Sequence, residues 1–219
     1  KAYTYLLNWC AHLMQKPWEK PGVAIVMLSS EEGAGKNAVT EKLQAVVGLR
    51  DPFNLSVATA DPDKLFGRFN ITLSHKLLVI LNEADVSGQY SGKIKGLVTD
   101  PDVPLEAKFV DSYIEDSFHR FIFTSNKDAA VATVSGSRRY KMYRVSDKYT
   151  GPANAESEPY FKAIRDVPDA AFALFLLTRD IRAFNPRAFV KGDADFEAVR
   201  ANFNATETMI DGMMRQGYV

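Results

Sequence analysis

Residues 23–47 constrain the fold of this 219-residue chain more than any other stretch. Six apolar residues, Val23 to Leu28, predict a buried strand, and a polar turn containing glycine follows them. After Lys36, apolar residues recur at helical spacing, at Val39, Leu43, Val46 and Val47. In such a strand–loop–helix unit the loop aims several backbone N–H groups at one point, where the helix dipole also favours negative charge. The order of these segments therefore predicts a site for phosphate.

The turn matches part of the phosphate-loop pattern G-x-x-x-x-G-K-[S/T]. Its frame reads Ser30-Glu31-Glu32-Gly33-Ala34-Gly35-Lys36-Asn37. Gly35 and Lys36 match, whereas Ser30 replaces the first Gly and Asn37 replaces the Ser or Thr that ligates magnesium. An ordinary Gly-rich strand-to-helix turn is the alternative, but a position directly after a buried strand is the context that a nucleotide site requires.

Two further apolar runs end in polar residues, as central strands of an open α/β sheet do at the edge where ligands bind. The first run, Leu77–Leu81, is followed by Asn82, Glu83 and Asp85. Glu83 is a candidate for orienting and deprotonating water, and Asn82 or Asp85 for a place near magnesium. A strand that simply ends in a polar loop is the alternative.

The second run, Phe121–Ser125, ends at Asn126. An amide there can hold the water or the γ-phosphate without adding a negative charge beside the substrate. Three strands that bring Lys36, Glu83 and Asn126 to one sheet edge are a more specific signal than any one of them.

Two basic features lie outside these strands. The loose alternation from Val103 to Phe118 predicts a β-hairpin with Lys108 near its tip, suited to a phosphate backbone. A solvated hairpin lysine is the alternative. Arg138 and Arg139 follow Gly136 in a flexible turn, where an arginine can stabilise charge on a transferring phosphoryl group. Arginine pairs are also common on ordinary surfaces.

Composition sets outer limits. The net charge is zero, so no global basic field indicates nucleic acid, although a ring-shaped assembly can enclose a basic channel. No segment approaches 18 consecutive apolar residues, so we expect no membrane span. The single Cys10 lies in an apolar helical pattern and predicts a buried thiol, and the scattered histidines predict no metal site made of protein ligands. The chain begins at Lys1 without Met, and we expect it to be part of a longer protein.

The flanking patterns complete the expected architecture. They predict an N-terminal helix that ends before Pro17, a short strand at Phe53–Val57, a helix that starts near Asp61 and C-terminal helices whose aromatic residues belong to the core. We expect a nucleotide-binding core over residues 1–150 and a helical region, packed on or following it, over residues 151–219.

In succession these motifs resemble the helicase domain of phage and plasmid primase-helicases, superfamily 3 helicases of the AAA+ class. The resemblance covers residues 9–145. It rests on GAGKN at 33–37, FN at 69–70, KLLVILNEAD at 76–85, IKGLVTD at 94–100, LEAK at 105–108, FIFTSNKD at 121–128 and SRRY at 137–140. It implies an α/β P-loop NTPase fold, a three-layer sandwich with a central parallel sheet.

The resemblance also implies roles for single residues. Residues 33–37 (Gly33, Ala34, Gly35, Lys36 and Asn37) would bind ATP, with Lys36 as the Walker A lysine. Glu83 would be the Walker B acid and Asn126 the sensor asparagine. Lys108 would grip single-stranded DNA inside a ring, typically a hexamer, and Arg138 or Arg139 would reach a neighbouring subunit's nucleotide. Asn37, Asn82 and Glu83 would lie around the Mg²⁺ carried by ATP.

The resemblance implies a replication protein of the host cytoplasm, with a primase domain elsewhere in the full chain. Two departures from the pattern, Asn37 and Asn82, reduce the usual magnesium ligands and predict weaker magnesium binding or slower hydrolysis. An ATP-binding oligomerisation module with little hydrolysis therefore stays open beside the DNA helicase. A small-molecule P-loop kinase is disfavoured, because no Arg-rich lid pattern is present.

Overall fold

The computed structural model describes residues 2–48, 54–83, 85, 88–131, 137–150 and 156–216. The helices are α1 (Ala2–Gln15), α2 (Lys36–Val47), α3 (Asp63–Phe66), α4 (Ser91–Thr99), α5 (Ser157–Asp166), α6 (Asp169–Thr178), α7 (Asp193–Ala201) and α8 (Ala205–Arg215), with a 3₁₀ turn at Ile71–Leu73. The strands are β1 (Ala24–Leu28), β2 (Ser56–Thr59), β3 (Leu78–Leu81), β4 (Asp102–Ala107), β5 (Val110–Asp116), β6 (Arg120–Ser125) and β7 (Tyr140–Arg144).

Within the described residues, five strands form one parallel sheet in the order β2-β3-β6-β1-β7. All residues of β1, β3 and β6 are buried, because helices cover both faces of the sheet. Alternate residues of β1 divide between the two faces: Ala24, Val26 and Leu28 pack with residues of α3, α4 and α7, whereas Ile25 and Met27 pack with α1, α2 and α6. The result is the predicted three-layer P-loop NTPase fold.

The strands that carry the predicted site follow the sequence pattern closely. Predicted strands at 23–28, 77–81 and 121–125 are found as β1, β3 and β6. Gly48 ends α2 in the left-handed conformation, and its N–H donates to the carbonyl of Gln44, as a C-cap glycine does. The second strand lies later than predicted, at Ser56–Thr59, and Phe53 lies outside the described residues.

The first helix is fastened to the sheet by a buried arginine. Arg120, at the start of β6, is only 1% exposed. Its guanidinium donates to the carbonyls of Lys16, Pro17 and Glu19, just beyond the last turn of α1, at 2.7–3.1 Å. The arginine thereby connects the start of β6 to the segment that follows α1. Cys10 of α1 is buried, as predicted, and burial raises the pKa of its thiol to about 12.

A chain of hydrogen bonds crosses the interior near the start of β6. The Lys20 amine donates to the Ser117 hydroxyl at 2.5 Å, and that hydroxyl lies 2.7 Å from His119 Nδ1. His119 Nε2 lies 2.8 Å from the carbonyl of Leu73 and must donate to it, so Nδ1 accepts from Ser117. Burial lowers the pKa of His119, and the nearby Lys20 lowers it further. Both effects favour the neutral ring, whereas the hydrogen bond to Leu73 opposes the shift.

The predicted hairpin is present as a separate antiparallel pair, β4 and β5, with Lys108 and Phe109 at its turn. Asn70 is buried at its base, where its amide donates to the carbonyl of Pro104 and accepts from the N–H of Glu106. These two bonds fix the hairpin on the 3₁₀ turn and leave its tip projecting.

Two of the C-terminal helices, α6 and α7, pack on the N-terminal helix and on the sheet respectively. α6 contacts α1 and α2, and its Leu176 is fully buried among their side chains. α7 contacts β7, where the buried carboxylate of Asp195 accepts from the Lys141 amine and from the N–H groups of Met142 and Gly192. In the described part of the chain, no helix combines the length and the apolar character that crossing a bilayer requires.

Candidate functional site

Loop 29–35 connects β1 to α2 and has the backbone of an anion-binding turn. Gly33 and Gly35 have φ values of +75° and +87°, in the left-handed region where a side chain would cause strain. Gly35 is the N-cap of α2, and no side chain of the described residues caps this helix end. The first N–H groups of α2 therefore remain available to an anion, which the helix dipole also attracts.

A cavity of about 400 Å³ opens between this loop and the tips of β3 and β6. The loop, the two strand tips and one distant residue line it: Glu32, Gly33, Ala34, Gly35, Lys36, Asn37, Asn82, Glu83, Thr124, Ser125, Asn126 and Phe161. The fold thus brings together the residues that the sequence assigned to ATP or Mg²⁺, apart from Asp85, and Asn126 lies with them. The roles of these residues remain predictions.

Lys36 lies at the centre of the polar contacts. Its Nζ donates to Asn126 Oδ1 at 2.5 Å and to the hydroxyl of Ser29. Ser29 Oγ is also 2.7 Å from the carbonyl of Glu31 and 3.1 Å from Asn126 Oδ1. Burial lowers the pKa of Lys36, and the carboxylates of Glu32 and Glu83 oppose that shift. Ser29 was missed by the sequence analysis, although a polar residue at the end of a buried strand was the signal for it.

The tip of β3 supplies the acidic group of the cavity. Glu83 is exposed and has φ +54°, a left-handed conformation that is uncommon for a residue with a side chain and that often marks a functional turn. The neighbouring Asn82 accepts at Oδ1 from the hydroxyl of Thr124 at 3.3 Å. An exposed carboxylate beside a site for phosphate can accept a proton from an attacking water.

Ion pairs join the strand tips around the cavity. Asp85 pairs with Lys127 at 2.5 Å and is not among the lining residues, which differs from the expected place near magnesium. Arg144, at the end of β7, pairs with Asp128 at 2.7 Å and with Glu197 of α7 at 2.8 Å. These pairs connect the tips of β3, β6 and β7 to one another and to α7.

Arg138 and Arg139 lie at the other edge of the sheet. Both are exposed, and the carbonyl of Arg139 accepts from the N–H of Ala24, the first residue of β1. Lys36 follows the opposite end of that strand. The two arginines therefore do not join the cavity of their own chain, and Gly136 of the predicted turn lies outside the described residues.

Lys108 also lies away from the cavity, in a surface of charged and aromatic side chains at the hairpin tip. Lys108 Nζ is 5.7 Å from the ring centre of Phe69, and Arg68 Cζ is 5.4 Å from the same ring. Arg68 also pairs with Glu106 of the hairpin at 2.8 Å. The side chain of Phe109 is fully exposed at the tip. Lys108 was predicted at this turn from the sequence pattern, whereas the positions of the Phe69 and Phe109 rings beside it were not, and its role as a DNA contact remains a prediction.

Phe161 of α5 is the residue of the cavity that the sequence analysis assigned elsewhere. Its spacing with Ile164 and Phe172 is typical of a core face, yet its ring is half-buried and lines the cavity. A Cβ atom built on Gly35 would lie 2.6 Å from the ring, so a larger residue at Gly35 would collide with Phe161. Sequence periodicity cannot reveal this contact, because the contact depends on the tertiary packing of α5 against α2 and loop 29–35.

Comparisons with known proteins agree with this fold. Residues 27–139 match a family described as a family of unknown function (DUF5906). Two solved apo structures of the NrS-1 C-terminal region superpose with TM-scores of 0.75 and 0.74, at 20% and 19% identity, over 96% and 99% of the chain. The chain spans about half the length of these structures, 49% and 55%. No curated protein matches the sequence.

Proposed function

We propose that this chain, which belongs to the DUF5906 family, is the ATPase core of a DNA helicase that translocates on single-stranded DNA as a ring. One observation carries the proposal: Lys36, Glu83 and Asn126, from three separate segments, line one cavity at the uncapped N-terminus of α2. That arrangement suits a triphosphate and a water molecule that attacks it.

Each side chain has a task that follows from its chemistry. Lys36 neutralises the β- and γ-phosphates, and its present acceptors, Ser29 and Asn126, give up the amine to phosphate oxygens. Asn126 is then free to orient water or the γ-phosphate, and Glu83 accepts the proton of that water. Because the backbone of loop 29–35 is already in its left-handed turns, little further ordering is needed on binding.

The oxygen donors of the cavity suit magnesium delivered with ATP. Asn37 and Asn82 present amide oxygens and Glu83 a carboxylate, and Mg²⁺ accepts few protein ligands beside its waters and phosphates. When bound, Mg²⁺ neutralises charge on the β- and γ-phosphates. Among the described residues there is no cluster of three His, Cys, Asp or Glu side chains able to hold a metal without the nucleotide.

A ring explains the position of the arginines. Arg138 and Arg139 lie at the sheet edge away from Lys36, so either one would serve a nucleotide only in an adjacent subunit. Subunits arranged head to tail close into a ring when their rotation permits, and we propose a hexamer. In the longer protein, a primase domain would accompany this core.

The hairpin tip is the proposed contact for DNA. Lys108 provides positive charge, and the rings of Phe69 and Phe109 provide flat faces for bases, whereas the charge of Arg68 is paired with Glu106. Single-strand binding proteins combine these two features. In a ring, six such tips would line the channel. The lysines would then be concentrated in the channel although the net charge of the chain is zero.

A second candidate function is an ATP-binding module that orders the oligomer and hydrolyses little ATP. Asn37 has no hydroxyl for magnesium, and the amide oxygen of Asn82 already accepts from Thr124. Both features weaken the magnesium shell but leave the phosphate contacts of Lys36 and the loop intact.

Hydrolysis of ATP distinguishes the two candidates. The rate is measured with and without single-stranded DNA, over a range of protein concentrations, for the wild type and Glu83→Gln. We expect turnover that DNA stimulates, that rises cooperatively with concentration and that the variant lacks. ATP binding and assembly without turnover would favour the module, and absence of ATP binding would refute both.

A second experiment tests the hairpin. Lys108→Ala should keep the basal ATPase rate and lower both the stimulation by DNA and the salt dependence of DNA binding, because a phosphate contact is lost. Lys191→Ala, which removes the same charge beside α7, is the matched control and should change neither. Equal loss of basal and stimulated rates in Lys108→Ala would refute the assigned role.

A further inference from the structure

The cavity has one aromatic side chain among its described lining residues, Phe161. Its ring lies against Gly35, the N-cap of α2, at the point where the first helical N–H groups are available to phosphate. The other side chains of the cavity are polar or as small as Ala34. Among the described lining residues, Phe161 therefore offers the flat apolar surface on which a purine base can stack.

Phe161 belongs to a cluster of three rings that reaches the protein surface. Tyr160 meets Phe161 edge to face, with ring centres 5.2 Å apart, and stacks on Tyr149 at 4.2 Å. The Lys148 amine lies 5.0 Å from the ring centre of Tyr149. Tyr160 is 44% exposed, so an aromatic surface extends from the cavity to solvent.

The helix that carries Phe161 is fixed with respect to the loop. Lys42 of α2 donates to the carbonyls of Arg165 and Val167, at the end of α5, and pairs with Asp169 at the start of α6. The same helix α2 therefore begins at the proposed phosphate site and holds the segment that positions the ring. A ring held in this way loses little freedom when a ligand binds, which favours its use as a contact surface.

We infer that Phe161 holds the base of the bound nucleotide by contact of its ring with the base. The inference rests on the proposed function, since the phosphates must occupy loop 29–35 for the base to reach the ring. An aromatic face contacts every base through its π-surface and reads no hydrogen-bond pattern. The site should therefore prefer purine to pyrimidine nucleotides through contact area, and should distinguish poorly between ATP and GTP.

Comparison of ATP with inorganic tripolyphosphate tests the inference, because tripolyphosphate has the phosphates without the base. Affinities are measured by calorimetry for the wild type, Phe161→Ala, Phe161→Leu and Phe161→Tyr. Loss of one stacked base costs about 5- to 150-fold in affinity. We expect that loss for ATP in Phe161→Ala, a smaller loss in Phe161→Leu and none in Phe161→Tyr, with tripolyphosphate affinity unchanged throughout.

Phe175→Ala is the matched control, since Phe175 is a half-exposed phenylalanine of α6 that stacks on Phe172 and does not line the cavity. It should leave both affinities unchanged. Equal loss of ATP and tripolyphosphate binding in Phe161→Ala would show that the ring only supports the loop, and no loss of ATP binding would show that the base lies elsewhere. Either result would overturn the inference about Phe161 and leave the proposed function standing. A wild type that binds neither ligand would instead overturn the proposed function.

Discussion

Asp195→Asn should destabilise the protein strongly, because it breaks a buried ion pair. The side chains of Asp195 and Lys141 are 3% and 5% exposed. The carboxylate accepts from the Lys141 amine, from Met142 N at 2.9 Å and from Gly192 N at 2.8 Å. In the asparagine variant one acceptor oxygen becomes an NH₂ donor, which must face either the ammonium or a backbone N–H.

The expected cost follows from what remains buried. An ammonium that has lost its carboxylate in the interior costs about 3–5 kcal/mol. The Lys141 amine also lies 5.6–5.7 Å from the ring centres of Phe189 and Tyr143, and these contacts offset only part of the loss. For a chain of this size, 3–5 kcal/mol corresponds to a decrease in Tm of roughly 6–20 °C.

A double-mutant cycle tests this reasoning. Unfolding in urea, followed by circular dichroism, gives the free energy of unfolding for Asp195→Asn, for Lys141→Met and for the double variant. We expect the double variant to lose at least about 2 kcal/mol less than the two single losses together, because it leaves no unpaired buried charge. Glu158→Gln, which removes an exposed pair with Arg165, is the control and should leave Tm nearly unchanged. Additive losses would refute the argument.

Two further predictions concern the loop and the interior. Gly35→Ala should destabilise the protein by about 1–2 kcal/mol because of the left-handed backbone alone, and the collision of its Cβ with Phe161 should add a further cost. Urea unfolding of the double variant with Phe161→Ala should show that the collision cost is lost and that the backbone cost remains. Stability should fall as the pH decreases below about 6.5, since the unfolded chain binds protons that buried His119 and His12 do not. His119→Gln should reduce that slope by at most about 1.4 kcal/mol per pH unit, and an unchanged slope would refute the role of His119.

The local sequence pattern predicted the parts of the fold that neighbouring residues determine. The buried strands, the turn after β1 and the polar strand tips follow from alternation, glycine placement and run length, and these also predicted that Lys36, Glu83 and Asn126 meet. The hairpin with Lys108 at its turn was predicted in the same way, and the structure has it.

Contacts between distant segments could not be predicted in this manner. Arg120 begins an apolar strand and has no local sign that its partners are the carbonyls that follow α1. Asp195 lies in a thinly patterned tail, and its lysine lies in a strand far earlier in the chain. Phe161 has the spacing of a core residue, and only the packing of α5 on α2 brings it to the cavity.

The strand order has a consequence for synthesis of the chain. β1 lies between β6 and β7, and Ile25 pairs with Ile122 of β6 and with Lys141 of β7. Both partners are therefore synthesised long after Ile25. A ribosome that adds about 5–20 residues per second needs several seconds to reach them. During that interval β1, which is entirely apolar, has no neighbouring strand with which to pair. We therefore expect the nascent chain to depend on chaperones until β6 leaves the ribosome.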